Sequence, residues 1–143
     1  MQSPLFEKTL TGLQKRLVDG KLTVQNNEGF VEEMEFQFRE PATDEEIQGF
    51  IHSTGVQLPE DYQTFLRLHN GVILFQPWFG GQFELYRVSE IIKNQVAGLH
   101  PSSWYPIGYQ DGGYLLFDHF IIAQGTKFWD WPRYNVHRYY RNR

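Results

Sequence analysis

The sequence contains no cysteine among its 143 residues, which excludes disulfide bonds, a thiol nucleophile and thiolate metal sites. Long apolar segments are also missing. Apolar runs such as 115–117 and 120–123 are far shorter than the roughly 20 residues that span a bilayer. Charged side chains interrupt residues 1–20, so this segment lacks the apolar stretch of a signal peptide. We therefore expect a cytoplasmic protein.

The five histidines show no pattern that is typical of a metal site or a catalytic centre. There is no HExxH motif and no histidine pair at ligand spacing, and residues 111–113 lack the features of a phosphate-binding loop. Asp118 and His119 are neighbours, but adjacent strand residues point to opposite faces of a sheet. We expect no metal, no cofactor and no enzymatic activity. The alternative is a hydrolase that uses Asp111 or Asp118 with a histidine.

The net charge of -4 is unfavourable for a general nucleic-acid-binding protein, which usually carries a basic face. The charge is unevenly distributed along the chain. Residues 28–46 contain eight acidic residues and one basic residue, whereas residues 133–143, the basic tail, contain four arginines and no acid. Tyrosines interleave with these arginines, and such a tail can bind nucleic acid. We favour a terminal element, a short helix or a frayed end, whose arginines pair with the acids or remain solvated.

Residues 41–71 carry the clearest local pattern, which predicts two short helices. Thr43 and Glu46 form a capping box at the first helix start, and Gly55 is a typical stop. Pro59 begins the second helix, and residues 70–71 close it. The predicted buried positions are Ile47, Phe50 and Ile51 in the first helix and Tyr62, Phe65, Leu66 and His69 in the second. Helices this short need a partner surface, which should be a sheet.

The rest of the chain alternates in the manner of strands. We predict a hairpin over 21–38 with its turn at 26–29, and we call it the acidic hairpin. The other predicted elements are a first helix from Ser3 to residue 19, strands at 72–75, 83–86, 104–109 and 114–118, a helix from Ser89 to about Val96, and a hairpin candidate at 121–131. This order predicts an α+β fold, one mostly antiparallel sheet with helices packed on one face and at the ends. The length favours a single domain over 1–143.

Several blocks in this order resemble the SUKH superfamily, over residues 40–131. The blocks are Pro41 to Ile47, Leu58 to Tyr62, Phe65-Leu66, Asn70-Gly71, Pro106 to Gly108, Asp111 to Gly113 and Leu116 to Asp118. The superfamily includes fungal cell-wall-synthesis regulators and many bacterial immunity proteins. The resemblance implies the same α+β fold. It also implies an immunity protein that binds and neutralises a cognate bacterial toxin by direct occlusion, with a regulatory scaffold as the alternative.

The acids of the hairpin have two interpretations. Glu33 and Glu35 alternate with apolar residues, so they are either a solvated strand face that discourages edge pairing or a binding surface. An acidic surface can imitate phosphates and steer a basic protein, which favours a nuclease as the toxin. The candidate partner-binding residues are Glu28, Glu32, Glu33, Glu35, Trp78, Tyr109 and Asp111. Trp78 is the candidate apolar anchor. We expect no direct nucleic-acid or membrane binding.

Overall fold

The computed structural model describes residues 5–77, 83–95, 103–110 and 112–118 and the backbone of residues 137–140. The helices within these residues are α1 (Leu5–Arg16), α2 (Asp44–Thr54), α3 (Glu60–Leu68) and α4 (Val88–Ile91). The strands are β1 (Lys21–Gln25), β2 (Val31–Phe38), β3 (Val72–Gln76), β4 (Phe83–Leu85), β5 (Trp104–Gln110), β6 (Gly113–Asp118) and β7 (His137–Tyr140). The prediction of an α+β fold is confirmed.

The seven described strands form one sheet in chain order, and each pairs antiparallel with the next. The predicted acidic hairpin is confirmed, with Lys21 opposite Glu35 and Gln25 opposite Val31. The predicted hairpin of β5 and β6 is also confirmed. Gly112 provides the positive φ of its turn, 82°. Strand β1 lies at one edge of this sheet, so β2 is an interior strand.

The helix start and stop signals of α2 act as the sequence predicts. The Glu46 N–H donates to Thr43 Oγ1 over 3.1 Å, and the Thr43 N–H donates to the Glu46 carboxylate over 2.8 Å. Gly55 follows the helix with a left-handed φ of 71°, and its N–H donates to the Ile51 carbonyl oxygen. The capping box satisfies two backbone N–H groups that a helix start otherwise leaves unpaired.

The core lies between the helices α2 and α3 and the sheet. Its buried members include Ile47, Phe50, Tyr62, Phe65 and Leu66 from the helices and Val72, Ile107, Leu116 and Phe117 from the strands. The Tyr62 hydroxyl donates to the Tyr86 carbonyl oxygen over 2.7 Å. Burial raises the pKa of Tyr62 well above its ordinary value, so the phenol stays neutral and remains a donor. This bond ties α3 to the residue that follows β4.

The predictions for α1, α3, α4 and the basic tail differ from the structure. Helix α1 ends at Arg16 and not at residue 19, because Val18 already forms a β-bridge with Lys21.

Helix α4 begins after Arg87 and places Ser89 inside its single turn, whereas the sequence suggested that Ser89 caps it. The reason is a distant cap, because Asn70 Oδ1 accepts a hydrogen bond from the Val88 N–H over 3.0 Å. The basic tail was expected to be a short helix or a frayed end. Its residues 137–140 instead form strand β7 beside β6. Their pairing partner is remote in sequence, so local periodicity does not reveal it.

Helix α3 ends earlier than predicted. Its last residue is Leu68, and His69 has an extended backbone with φ -145°, so residues 70–71 do not close the helix. The His69 ring nevertheless packs on Phe38, with 5.1 Å between the ring centroids.

Helix α4 ends at Ile91 and not at about Val96, since residues 92–94 form a turn. The predicted helix start at Ser3 and the hairpin candidate at 121–131 lie outside the described residues.

Replacing Leu66 by alanine is expected to lower the free energy of unfolding by about 2 to 5 kcal/mol, because Leu66 is fully buried and its truncation leaves a cavity. Denaturant unfolding followed by circular dichroism measures this loss. Leu68→Ala on the same helix is the control, since Leu68 is only half-buried and should cost less. A loss below about 0.5 kcal/mol for Leu66→Ala would contradict its place in the core.

Replacing Thr43 by alanine is expected to cost about 1 kcal/mol, because the Glu46 N–H loses its side-chain acceptor. Thr43→Ser keeps the hydroxyl and should stay within a few tenths of a kcal/mol of the parent. The same denaturant experiment compares the two variants. Equal stability of Thr43→Ala and the parent would show that the capping box contributes nothing.

Candidate protein-binding site

One side of the sheet carries polar side chains over β1 and β2. Residues that lie directly opposite each other on neighbouring strands point to the same side. We call this side the polar face, and its members at this end of the sheet are Lys21, Thr23, Glu33, Glu35 and Gln37. The same side continues across the sheet through the opposed residues Gln37, Ile73, Glu84 and Tyr109 to Tyr114, which is buried in the core.

The exposed acids of the polar face are Glu33 and Glu35. Lys21 Nζ lies 3.5 Å from Glu33 Oε1, but both side chains are solvent-exposed. An exposed pair of this kind contributes little to stability and is screened by salt. Among the described residues Glu35 has no ion-pair partner. One lysine beside two acids leaves an excess of negative charge at the β2 end of the polar face.

The structure brings together some of the predicted site residues and separates others. Glu28 is exposed in the hairpin turn, where its N–H donates to Asn26 Oδ1. Glu32 is half-buried opposite Val24, on the other side of the sheet from the polar face. Tyr109 belongs to the polar face but lies three strands from β2, about 14 Å away. The two remaining candidates, Trp78 and Asp111, lie outside the described residues.

The long acidic segment of the sequence divides into two parts with different roles. Asp44, Glu45 and Glu46 form the first turn of α2, where negative charge suits the helix dipole. Asp44 also pairs with Arg67 over 2.7 Å. Only the hairpin acids lie on the sheet, and Glu33 and Glu35 are on the interior strand β2. Charges on an interior strand are not needed to protect a sheet edge, which leaves a solvated strand face and a binding surface as the two interpretations of these acids.

A charged network that was not predicted from the sequence lies further along the polar face. Arg39 Nη2 is 3.1 Å from Glu84 Oε1, and Arg39 Nη1 is 3.8 Å from Glu90 Oε2. Arg87 Nε lies 3.2 Å from Glu90 Oε1. The charge of Glu84 is therefore compensated, and the negative potential of the polar face concentrates on the acidic hairpin. The one available signal was that Arg39 is the single base in the acidic segment.

Gly71 makes room for this network. Its φ is 92°, and a Cβ at this position would lie 2.7 Å from Arg39 Nη1 and 2.8 Å from the Leu85 carbonyl oxygen. The neighbouring backbone is also fixed, because the Arg39 N–H donates to the Gly71 carbonyl oxygen and the Asn70 N–H donates to the Glu40 carbonyl oxygen. Residues 69–71 thus connect the end of β2 with α4. The glycine predicted as a helix stop serves this close approach instead.

The part of the chain that the structure describes contains no group of three or more side chains that could hold a metal ion. None of its helices is long and apolar enough to cross a membrane. Asp118 at the end of β6 accepts a hydrogen bond from Trp104 Nε1 over 3.2 Å. This contact gives Asp118 a structural role as an acceptor at the end of its strand. His119 lies outside the described residues.

Replacing Gly71 by alanine is expected to lower the free energy of unfolding by more than about 1 kcal/mol, because an L-residue disfavours a left-handed φ and the new methyl group contacts backbone atoms. Gly49→Ala is the matched control. Gly49 lies in α2 with open space where a methyl group would be added, so alanine should raise stability by about 0.5 to 1 kcal/mol. Thermal or denaturant unfolding compares them. Unchanged stability of Gly71→Ala would show that the close approach is not required.

Comparison with known proteins identifies the family. Residues 41–137 match the family model of the SMI1 / KNR4 family (SUKH-1). The uncharacterized protein YobM of Bacillus subtilis (strain 168) is 28% identical, with 95% of this chain and 97% of YobM covered. The uncharacterized protein YnaB of the same strain is 27% identical, with 78% of this chain and 97% of YnaB covered. No solved structure matches significantly. The resemblance inferred from the sequence is confirmed, and the chain belongs to the SMI1 / KNR4 family (SUKH-1).

Proposed function

We propose that this protein is a cytoplasmic immunity protein, one domain over 1–143, that binds a cognate bacterial toxin and neutralises it by direct occlusion. Family membership is the observation that carries the proposal. SUKH proteins are generally immunity or regulatory proteins and not enzymes, and the immunity proteins among them generally bind toxins. Occlusion requires a complementary surface and no catalytic group.

The polar face supports a nuclease as the toxin. Glu33 and Glu35 stand on alternate residues of β2, so their side chains are about 7 Å apart and point the same way. Repeated negative charge at close spacing is what a nuclease recognises in a nucleic acid backbone. A basic active-site groove would be attracted to this surface over long distances. The protein would then compete with nucleic acid for the same groove.

The gene neighbourhood is the first test, since an immunity gene should follow a toxin gene. Co-expression with a toxin domain found immediately upstream then tests the proposal. Wild-type protein should restore growth to cells that produce this domain, and the two proteins should elute together from a sizing column in a fixed ratio. The alternative function, a regulatory scaffold, predicts no protection and several weak host partners. Growth arrest that persists in the presence of the soluble protein would contradict the immunity proposal.

Reversing both exposed acids, Glu33→Lys with Glu35→Lys, is expected to slow association with the toxin domain by about tenfold at low salt. Folding should be nearly unchanged, because exposed substitutions usually alter stability by less than about 0.5 kcal/mol. The salt dependence of the association rate should flatten, while dissociation changes less. Stopped-flow binding at two ionic strengths measures these effects.

The control for this experiment is Glu45→Lys with Glu60→Lys. Both residues are exposed, and the substitutions change the net charge by the same amount at the starts of α2 and α3. Their effect on the association rate should be smaller if position matters as well as total charge. Association of the Glu33 and Glu35 variant at the wild-type rate in low salt would show that these acids are not part of the interface.

A further inference from the structure

Two apolar side chains are exposed at the start of β2. Phe30 is 63% exposed and its neighbour Val31 is 65% exposed. The other exposed large apolar residues in the described ranges stand apart from one another along the chain. Neighbouring residues of an extended chain point to opposite sides, so Val31 extends the polar face while Phe30 points to the other side, and both sides of the hairpin are apolar next to its turn. Single exposed apolar residues are common on soluble proteins, whereas two that lie side by side along the chain are less common. The pair therefore needs an explanation that the fold itself does not provide.

The hairpin turn holds Phe30 in a defined position. Asn26 Oδ1 accepts hydrogen bonds from the N–H groups of Glu28 and Phe30, over 2.9 and 3.0 Å. The Asn26 N–H donates to the Phe30 carbonyl oxygen over 2.8 Å. Gln25 Nε2 donates to the Gly29 carbonyl oxygen over 3.1 Å. Because the backbone is already ordered, contact through Phe30 would carry a small entropic cost.

Acidic residues precede and follow the apolar pair along the chain. Val31 lies opposite Gln25 and alternates with Glu33 and Glu35, so it extends the polar face towards the turn. Glu28 is exposed in the turn itself. An apolar centre with a charged rim is the usual anatomy of a protein interface. The complementary surface is an apolar pocket bordered by lysine or arginine side chains.

We infer that Phe30 and Val31 are the apolar anchor with which the acidic hairpin holds a basic protein partner. This inference rests on the proposed function and deepens it, because the partner is the toxin domain. The acids guide the partner to the surface, and the apolar pair keeps it there. The inferred anchor lies at the hairpin turn. Trp78, the anchor that the sequence suggested, lies outside the described residues.

The test is the kinetics of binding between the full-length Phe30→Ser, Val31→Thr variant and the toxin domain encoded immediately upstream. Threonine keeps the β-branched side chain that suits a strand, so β2 should be preserved. We expect dissociation to accelerate by at least about tenfold, since desolvated anchors carry much of the binding energy. Association and its salt dependence should stay close to those of the wild type, unlike those of the acid-reversal variant.

The control is Leu5→Ser with Ile92→Thr, which removes exposed apolar surface outside the hairpin. It should leave both rates unchanged. A circular dichroism melting curve of each variant shows that the fold is retained, and a variant with a lowered melting temperature is replaced by Phe30→Ser alone.

Each result has a distinct meaning. If the Phe30 and Val31 variant dissociates at the wild-type rate, while the wild-type protein binds the toxin domain, the anchor is contradicted and the immunity proposal is unaffected. If only Trp78→Ala dissociates faster, the anchor is Trp78. This result also contradicts the inference. Absence of any complex between wild-type protein and the toxin domain overturns the proposed function, and the inference with it.

Discussion

The burial of the apolar sides of α2 and α3 against the sheet is the interaction on which the rest of the structure depends. Leu66 and Ile47 are fully buried, and Tyr62 adds a hydrogen bond to the strand region while its phenol stays neutral. These helices are too short to be stable without such a partner. On the other side of the sheet, at the β1 and β2 end, the side chains are exposed and polar. That asymmetry places Glu33 and Glu35 in solvent, where they are available to a partner.

Local patterns in the sequence predicted the elements whose determinants are local. The capping box of Thr43, the stop at Gly55 and both hairpins depend on residues within a few positions of one another. Elements fixed by remote contacts were not predictable in this way. Helix α4 begins where Asn70 caps it from 18 positions away, and β7 forms because β6 offers it an unpaired edge. Neither contact produces a periodic pattern in the sequence.

The candidate site also combines features that local patterns predict with features that depend on remote contacts. Alternation along β2 indicated that Glu33 and Glu35 share a face, and the register of the sheet supports this. Glu32 has the opposite orientation, which the alternation already implied. The compensation of Glu84 by Arg39 joins residues 45 positions apart, and Gly71 permits it through an unusual φ. Only the folded structure shows that, on the described part of the polar face, the excess negative charge lies at the acidic hairpin, next to the exposed Phe30 and Val31.

Hydrogen–deuterium exchange of the protein alone and in complex with the toxin domain tests toxin occlusion by the acidic hairpin most directly. The turn amides at residues 27–31 are at the surface, so their exchange reports on whether a partner covers them. The proposal predicts slower exchange in this turn and along β1 when the toxin domain is bound, with little change in α2 and α3. Protection confined to the helices or to the basic tail, with an unchanged hairpin, would contradict it.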